Sequence, residues 1–296
     1  MSKATTRKKK ERWQSCNVMR IGAADRRLWN LRAKGQGFAL AREYTVVGQE
    51  KLPAPVVTKD FQSVWQKKLN VAWLPPGEVF LSSVELPTSD PDEIQGMLEL
   101  QMEKLSPLPA TQTVWTYVPL PRAEGALSRV LLVVAGRHAV EAQLGKLEAD
   151  GFFADRLELP QIDELLAVLG QGDGIWTFPR RSGEHHSVVT AWIADGELRH
   201  VGLSHLPPAG WQTVFKNQLA QVAWSGELEG WFQSGADTHV VAAGDLAAEF
   251  EPVLREFSGR EVDVREPIAE ATLAQLTAAR AAAGQPVPLL PAEFAT

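Results

Sequence analysis

The stretch that most constrains the fold runs from residue 79 to residue 160, because strand and helix patterns alternate most clearly there. An apolar run, Val79–Leu86, is followed by Asp90, Pro91 and Glu93. An aspartate followed directly by a proline, with a glutamate three positions after the aspartate, is typical of the start of a helix. The carboxylate of the aspartate accepts hydrogen bonds from backbone N–H groups of the first turn, which have no partner within the helix. These residues predict a strand and then a helix that begins after Asp90.

The predicted helix has one apolar face and a defined end. Its apolar residues recur at intervals of three and four, and Pro107 and Pro109 follow it. Two strands are predicted next, at residues 113–118 and 129–135. The apolar positions of the helix are Ile94, Met97, Leu98, Met102 and Leu105.

A second helix and a short strand complete this stretch. Val140, Leu144 and Leu147 share a helix face that ends at Asp150-Gly151, and a strand is predicted at residues 156–159. The order β-α-β-β-α-β is a split βαβ unit, for which we expect both helices on one face of one sheet. We expect residues 79–160 to project from a first lobe as a compact subdomain.

The same stretch resembles one protein family. The segments 81–109 (LSSVELPTSDPDEIQGMLELQMEKLSPLP) and 129–152 (RVLLVVAGRHAVEAQLGKLEADGF) are similar to the actin-like PilM and GspL cytoplasmic-domain family of type IV pilus assembly and type II secretion. In that family such a module is inserted in an actin-like fold. The resemblance implies an α/β, actin-like (RNase H-like) two-lobed fold with an inserted β-α-β-β-α-β subdomain.

The composition fits two lobes. The chain has 296 residues and a net charge of −6, so it exceeds the usual single domain and has no general attraction for nucleic acid. Its single cysteine, Cys16, excludes an internal disulfide bond and is typical of a reducing cytoplasm. No apolar run approaches the roughly 20 residues of a membrane span, and we find no signal-peptide pattern.

The residues before the inserted stretch predict a basic tail and the core of a first lobe. Residues 1–13 are rich in lysine and arginine, and we expect a disordered tail, with weak attraction to an anionic membrane surface as the alternative. The first-lobe core is expected at residues 14–78, with a hairpin turn at Lys34–Gly37. Its predicted strands are 17–22, 28–33 and 38–47, and one predicted helix face carries Phe61, Val64, Trp65 and Leu69.

A second α/β lobe is predicted at residues 161–284. A helix at 161–169 comes first, the glycine-rich segment 170–174 is the expected boundary between the lobes, and Asp195-Gly196 is a hairpin-turn signal. Strands and helices then alternate as in the first lobe. The predicted strands are 175–178, 187–194, 197–203, 238–242 and 261–265, and the predicted helices are 211–224, 246–257 and 269–283.

The resemblance also implies where a nucleotide would bind. An actin-like ATPase has two phosphate loops, each with an acid for the metal ion, and a glycine-rich loop near the adenosine. Against the family's first loop, Asp-Ile-Gly-Ser-Ser, this chain has Arg20 in place of the aspartate and keeps only Gly22. An arginine cannot coordinate Mg²⁺, which takes oxygen ligands. Asp25 is nearby but out of register, and we expect it to be a turn carboxylate.

The other two loops depart from the family pattern as well. The second loop is expected at Thr177–Arg181, which contains no aspartate; its two arginines could meet an anion, but we expect them to be solvated. The three glycines of the adenosine loop correspond to Ala243, Gly244 and Asp245. The sequence therefore predicts a cleft with absent or eroded ATPase chemistry and no cofactor or metal ion. Its residues are Arg20, Gly22, Asp25, Ala243, Gly244 and Asp245.

The C-terminal segment, residues 285–296, is predicted to be extended, because it is rich in proline and has no helical or strand period. It resembles the Leu-Leu-Pro-x-Glu phrase of this family, and in the resembled pilus proteins a similar segment of a partner docks in a groove. We expect this segment to bind that groove in the same chain or in a neighbouring copy. A frayed end, or a lead into a membrane segment, is the alternative. The expected binding residues are Leu289, Leu290, Pro291, Glu293 and Phe294.

No other catalytic pattern is complete. His185 and His186 are adjacent and lack further ligands for a metal ion. The basic residues near Cys16 could lower the pKa of its thiol, but we expect a buried, unreactive thiol. Asp163 and Glu164 are explained by the start of a helix, where carboxylates are favourable.

These observations predict a non-catalytic, actin-like cytoplasmic scaffold of a type II secretion or type IV pilus-like assembly. The resemblance implies a peripheral location at the inner membrane, held there by membrane-embedded assembly proteins. The assembly ATPase and a second copy of the chain are further expected partners, and nucleic acid is not. The alternatives are an actin-like ATPase that uses a shifted acid, Asp25 or Asp245, and a nucleotide-binding regulator.

Overall fold

A computed structural model describes residues 13–48, 50–54, 67–77, 79–121, 127–284 and 287–291, which form three sheets and six α-helices. The strands are β1 (Ser15–Ile21), β2 (Asp25–Lys34), β3 (Gly37–Val47), β4 (Lys68–Trp73), β5 (Val79–Leu86), β6 (Thr113–Pro119), β7 (Ser128–Gly136), β8 (Arg156–Glu158), β9 (Gly174–Ser182), β10 (His185–Ala194), β11 (Glu197–Leu206), β12 (Thr238–Val241) and β13 (Val262–Arg265). The helices are α1 (Pro91–Leu105), α2 (Arg137–Ala149), α3 (Pro160–Val168), α4 (Trp211–Glu229), α5 (Gly244–Ser258) and α6 (Glu270–Ala283).

Two of the sheets have the same plan. The first has the strand order β3-β2-β1-β4-β8, and the second has the order β11-β10-β9-β12-β13. In each, three strands pair antiparallel and the last two add in parallel. Antiparallel neighbours need only short turns, whereas parallel neighbours need a crossover, which helices supply. The chain therefore builds two α/β lobes, as the sequence predicts.

Strand β4 lies between β1 and β8 in the first sheet, and sequence analysis does not predict it. Leu69 is predicted to lie on a helix face, but it is in β4, next to β1. That prediction is wrong because β4 is buried on both faces, so it lacks the alternation of polar and apolar residues that marks a half-buried strand. The other residues of that predicted helix face, Phe61, Val64 and Trp65, lie outside the described residues.

The start of α1 is as predicted. The carboxylate of Asp90 accepts hydrogen bonds from the backbone N–H groups of Asp92 and Glu93 at 2.9 Å and 3.2 Å. The helix ends at Leu105, before Pro107. These contacts satisfy N–H groups that have no partner within the helix.

The inserted subdomain is smaller than predicted. Its sheet has three strands in the order β5-β7-β6, and β8 instead pairs in parallel with β4. Helix α2 is the crossover between β4 and β8, and the side-chain amide of Gln143 on α2 donates to the carbonyl of Trp73 at 3.4 Å. The predicted β-α-β-β-α-β unit at 79–160 is therefore corrected to β5-α1-β6-β7. Helix α2 packs between the subdomain sheet and the first lobe, and β8 belongs to the first sheet.

The two helices of that stretch do not share a face. Val130 and Leu132 of β7 pack in a cluster with α1, whereas Leu131 and Val133 belong to a cluster that contains the apolar side chains of α2. Successive residues of a strand point to opposite faces, so the prediction of one shared face is wrong. The subdomain also contacts the second lobe, because the hydroxyl of Ser83 donates to the carbonyl of Leu198 at 2.8 Å.

Helix α6 returns to the first lobe. Leu273 and Ala278 of α6 are buried against Val18, Trp29 and Val71 of the first sheet. The predicted second lobe, residues 161–284, therefore extends too far, because its last helix covers the other lobe. Sequence analysis cannot find this return, since the apolar face of α6 does not indicate which sheet it covers.

The buried acids of α3 hold the two lobes together. Asp163 accepts hydrogen bonds from Arg280 of α6 at 2.7 Å and 3.0 Å, and Glu158 also pairs with Arg280. The next residue, Glu164, pairs with Arg180 of β9 at 2.6 Å. Burial raises the pKa of Glu158, and the charge of Arg280 lowers it against that effect. Asp163 and Glu164 are thus buried ion-pair partners, and a helix start does not explain them.

A row of three asparagines crosses the first sheet, in which Asn17 and Asn70 are fully buried and Asn30 is half-buried. The amide of Asn30 on β2 donates to Asn17 on β1 at 2.7 Å, and the amide of Asn17 donates to Asn70 on β4 at 3.1 Å. The amide of Asn70 then donates to the carbonyl of Phe153 at 3.1 Å. Each of these amides has a hydrogen-bond partner, as a polar group in a core requires.

The hairpin between β10 and β11 turns where the sequence predicts. Ala194 pairs with Glu197, so the turn residues are Asp195 and Gly196, which have φ angles of 55° and 73°. Positive φ at both positions defines the tight turn that suits the twist of a hairpin. The carboxylate of Asp173 accepts from both turn N–H groups, at 2.8 Å and 2.9 Å.

Replacing Arg280 should destabilise the fold strongly. Arg280→Met leaves Glu158 and Asp163 buried without their cation, and breaking a buried pair in this way costs about 3–5 kcal/mol. Arg260→Met is the control, because the pair of Arg260 with Asp237 is exposed and such pairs contribute less than about 1 kcal/mol. Urea unfolding measures both free energies of unfolding. Equal losses in the two variants would contradict the role given to Arg280.

Candidate functional site

A cleft of about 590 Å³ lies between the two lobes. It opens at the ends of β1, β4 and β12, and residues of β9 and the first turns of α3 and α6 complete its lining. Ligands of α/β sheets bind outside the carboxyl ends of parallel strands. The cleft is therefore the candidate functional site of this fold.

The structure brings some of the predicted cleft residues together and leaves others outside. Arg20, Gly22 and Ala243 line the cleft. Asp25 lies at the start of β2, behind Arg20. Gly244 and Asp245 form the exposed first turn of α5 and are not among the residues that line the cleft.

Arg20 is engaged by two carboxylates. Its guanidinium donates to both oxygens of Asp25, at 2.9 Å and 2.8 Å, and to Glu270 of α6 at 3.0 Å. Arg27 contacts the same two acids, at 3.2 Å and 2.9 Å. Arg27 also pairs with Glu43 at 3.9 Å, so two cations face three acids and the network has no net positive charge. The carboxylate of Asp25, expected to serve the turn, instead holds Arg20.

Gly22 has a structural reason to be glycine. A Cβ atom at this position would lie 2.4 Å from Oδ1 of Asp25, which is closer than real Cβ contacts come. The backbone N–H of Gly22 also donates to the carbonyl of Asp25 at 2.8 Å. The one residue kept from the family's first phosphate loop is therefore required by the ion-pair network, without reference to a ligand.

Arg180 and Arg181 are not simply solvated, as the sequence analysis expects. Both lie in β9, and Arg180 pairs with Glu164, whose side chain is only 4% exposed. Arg181 pairs with Glu249, which also accepts a contact from His186 at 3.1 Å. The hydrogen bond from Arg181 is the main cause that lowers the pKa of Glu249. The expectation is wrong for Arg180, whose partner is buried, whereas Arg181 is half exposed and pairs at the surface.

The acids of the cleft are not free to bind a metal ion. Arg20 occupies the position where the family resemblance implies a metal-facing aspartate, and a guanidinium has only donors. Glu164 and Glu270 are each paired with an arginine. The described residues contain no group of three or more histidines, cysteines and acids that could hold a metal ion. These residues do not fit a magnesium–nucleotide complex, and the absence of ATPase activity stays a prediction.

Some polar capacity remains in the cleft. Within the described part of the chain, four buried side-chain atoms of its lining have no hydrogen-bond partner. They are Nε of Arg20, Oε1 of Gln161, Oε2 of Glu164 and Nε of Arg180. Buried polar atoms usually have a protein or water partner, so water or a small polar molecule could satisfy them.

Sequence analysis misses three polar residues of the cleft, namely Gln161, Glu164 and Glu270. They come from α3 and from the first turn of α6, which lie outside the expected loops. One signal could have found Glu164, because α3 is short and most of its residues are apolar, so a charge beside its apolar face needs a partner. No comparable signal marks Glu270.

The described part of the C-terminal tail lies against this chain. Leu289 and Leu290 are buried in the core that also contains Leu131 and Leu165, and the hydroxyl of Thr116 on β6 donates to the carbonyl of Val287 at 2.6 Å. Pro291 is buried, whereas Glu293 and Phe294 lie outside the described residues. A partner-binding role for the residues from Leu289 to Phe294 stays a prediction.

Cys16 does not have the environment of a reactive thiol. Its side chain is fully buried, and burial raises the pKa of the thiol well above its usual range. Asp155 and Glu158 add to that rise. This agrees with the expectation of an unreactive thiol, and the low pKa that basic neighbours could produce is not found.

Comparisons with known proteins add solved structures only. No family model and no curated protein matches the sequence. The chain is similar to the PilM–PilN type IV pilus biogenesis complex, with 14% identity, 95% of this chain and 98% of that chain covered, and a TM-score of 0.52. It is also similar to a Bacteroides thetaiotaomicron protein with an actin-like ATPase fold and unknown function, with 13% identity, 89% and 96% covered, and a TM-score of 0.50.

A third similar structure is the cytoplasmic domain of EpsL, an inner-membrane component of the type II secretion system of Vibrio cholerae. It has 15% identity, covers 95% of this chain and 99% of that chain, and has a TM-score of 0.47. The first two likenesses and the repeated sheet order show that the fold is the actin-like ATPase fold. Among the described residues, none of the helices is long and apolar enough to cross a membrane.

Substituting Gly22 should disturb the ion-pair network. Gly22→Ala places a methyl group against Asp25, and overpacking of this kind costs about 1–3 kcal/mol. In an Asp25→Ala background the same change should cost less, because the clash is gone. Gly96→Ala on α1 is the control, since nothing lies near its added Cβ and alanine favours a helix. Thermal unfolding measures the four variants, and strict additivity would contradict the clash.

Proposed function

We propose that this chain is a non-catalytic, actin-like scaffold of a type II secretion or type IV pilus-like assembly. It acts in the cytoplasm at the inner membrane and binds membrane-embedded assembly proteins. One observation carries the proposal: Arg20, placed where the family resemblance implies a metal-facing acid, forms ion pairs with Asp25 and Glu270. The fold is the actin-like ATPase fold, whereas the charged groups of the cleft pair with one another.

The charge balance of the cleft supports a scaffold. The two arginines of the Arg20 network face three acids, and Arg180 faces Glu164. No net positive charge remains to attract a triphosphate, and both carboxylates of the cleft lining, Glu164 and Glu270, are already paired with arginines. To bind a magnesium–nucleotide complex, the protein would have to break partly buried arginine–carboxylate pairs, whose hydrogen bonds are among the stronger ones in proteins.

Partner binding is the role that remains for such a fold. One of the similar structures is a complex of PilM with PilN, and another is the cytoplasmic domain of an inner-membrane secretion component. By analogy, this chain would bind inner-membrane assembly proteins, with the assembly ATPase as a further partner. The tail residues Leu289 and Leu290 are buried within the chain, which supports the proposal that this fold can accept an extended segment.

A nucleotide-binding regulator is the second candidate. The unpartnered polar atoms of Gln161 and Glu164 favour it, because they leave hydrogen-bonding capacity in the cleft. An ATPase with a shifted acid has less support. Asp25 already holds Arg20, and Asp245 lies outside the cleft lining.

Calorimetry with magnesium–ATP separates these functions. We expect no saturable binding at millimolar nucleotide, because Arg20 and its two acids satisfy one another. A micromolar dissociation constant would overturn the scaffold proposal. If weak binding is observed, Asp25→Ala tests whether the acid has shifted: loss of that binding supports an ATPase-like site, and unchanged binding supports the regulator.

The tail should contribute to stability and to partner capture. Leu289 is buried, so Leu289→Ala should cost about 2–5 kcal/mol, the usual range for a leucine deleted from a core. Leu276→Ala is the matched control, because Leu276 is partly exposed on α6. Deletion of residues 286–296 should lower the melting temperature and change capture of assembly proteins. If neither the melting temperature nor the capture changes, and a protease trims the native tail freely, the prediction that the tail docks is wrong.

A further inference from the structure

Three cations lie together on the first sheet. Arg32 and Lys34 are on β2 and Arg42 is on β3, and all three residues are exposed. They line a shallow depression of about 420 Å³, and the other described residues of its lining are uncharged. Together, Arg32, Lys34 and Arg42 form a basic face on a chain whose net charge is −6.

The cations of the basic face are not used inside the molecule. Most described arginines pair with a carboxylate, but within the described ranges the three residues of this face form neither an ion pair nor a side-chain hydrogen bond. Glu43 follows directly in β3, yet it points to the opposite side of the sheet and contacts Arg27 at 3.9 Å. The positive charge of the face is therefore available to a partner.

Strand pairing brings more positive charge to the same end of the sheet. Arg32 of β2 and Lys68 of β4 pair with the same residue of β1, so they lie in one row. Gln14, one position before that row, accepts a hydrogen bond from the backbone N–H of Ala33 at 3.0 Å. Residues 1–12, which precede it, include six lysines and arginines and one acid. The basic segment of the sequence thus joins the fold beside the basic face.

Apolar side chains are exposed next to these cations. Leu40 lines the depression and is 40% exposed. Phe153 is 58% exposed, and its carbonyl accepts a hydrogen bond from Asn70, two residues along β4 from Lys68. Surfaces that bind membranes combine lysines and arginines, which attract anionic lipids, with apolar side chains that enter the boundary of headgroups and acyl chains. This end of the sheet has both components.

We propose that the basic face binds the headgroups of an anionic membrane, with residues 1–12 adding to the attraction. The guanidinium groups of Arg32 and Arg42 donate to phosphate oxygens, Lys34 supplies a further positive charge, and Leu40 enters the headgroup region. The proposal rests on the proposed location at the inner membrane. It adds a direct contact with lipid to the contact through assembly proteins.

This contact fixes which end of the first lobe faces the membrane. Strand β1 begins beside Arg32, and its last residue, Ile21, lines the cleft. The strand has seven residues, so the basic face and the cleft are about 20 Å apart. The cleft therefore points away from the membrane and stays open to other molecules.

A membrane suits this surface better than a nucleic acid. The basic face is one end of a chain whose overall charge is negative, so a long polyanion would be repelled by the acidic surface beyond that end, whereas a planar membrane touches the end alone. Leu40 and Phe153 also gain burial among lipids and gain little beside a phosphate backbone. Vesicles without protein exclude an acidic protein as the partner that is measured.

Sedimentation with vesicles tests the proposal. The full chain should bind vesicles of phosphatidylcholine with about 30% phosphatidylglycerol, and it should not bind phosphatidylcholine alone. Arg32→Gln/Lys34→Gln/Arg42→Gln should weaken binding about a hundredfold, because each cation near an anionic surface contributes about fivefold. Raising the salt concentration should weaken the binding of the native chain as well. The three side chains are exposed, so the melting temperature of the variant should stay unchanged.

A second triple variant is the matched control. Lys216→Gln/Arg255→Gln/Arg260→Gln removes the same charge from the second lobe and should bind like the native chain. Equal weakening in both triple variants, or no binding by the native chain, would overturn the proposal. So would equal affinity for duplex DNA, or binding that is lost on deletion of residues 1–12 and unaffected by the basic-face substitutions. The vesicles contain no assembly protein and no nucleotide, so such a failure leaves the scaffold function to its own tests.

A fluorescent label tests the orientation independently. Ala41→Cys places a thiol in the depression, and an environment-sensitive dye on it should brighten and shift to the blue with phosphatidylglycerol vesicles. Gln212→Cys is the control, because Gln212 is exposed on α4 of the second lobe. The native Cys16 is buried and stays unlabelled. No response at position 41, or an equal response at both positions, would contradict the proposed contact.

Discussion

The relative position of the two lobes depends on two adjacent carboxylates. Asp163 and Glu164 follow one another on α3, yet the first pairs with Arg280 on the first-lobe helix and the second pairs with Arg180 on the second-lobe sheet. Successive residues of a helix point in directions about 100° apart, so one turn reaches both sides. Burying these charges costs much free energy unless each is paired. The observed arrangement of the lobes therefore satisfies both acids at once.

The cleft has become part of this structural framework. Its arginines and acids neutralise one another, and Gly22 is required by the side chain of Asp25. Arg20 and Glu270 hold the first turn of α6 to the β1–β2 hairpin. The charge pairs of the cleft therefore contribute to the packing of the lobes.

Sequence patterns predict the helices and strands better than they predict which of them pair or pack together. The cap at Asp90 and the turn at Asp195-Gly196 are local, so the residues that determine them are adjacent in the sequence. Strand β4 has no local signal, because it is buried on both faces, and without it the sequence predicts the wrong sheet for β8. Sequence analysis misses Glu270 because its partner Arg20 is 250 residues away, and it misses Glu164 because the separation of 16 residues from Arg180 matches no helix or strand period.

The asparagine row of the first sheet has a consequence for folding. A strand that slips by one residue turns each side chain to the other face, and for β1 or β4 such a slip would bury Asn17 or Asn70 without its amide partner. Apolar contacts alone tolerate a slip far better, since one aliphatic side chain can replace another. The three amides therefore discriminate against misregistered pairings as the sheet assembles. They also favour the correct pairing of β4, which sequence analysis overlooks, with β1.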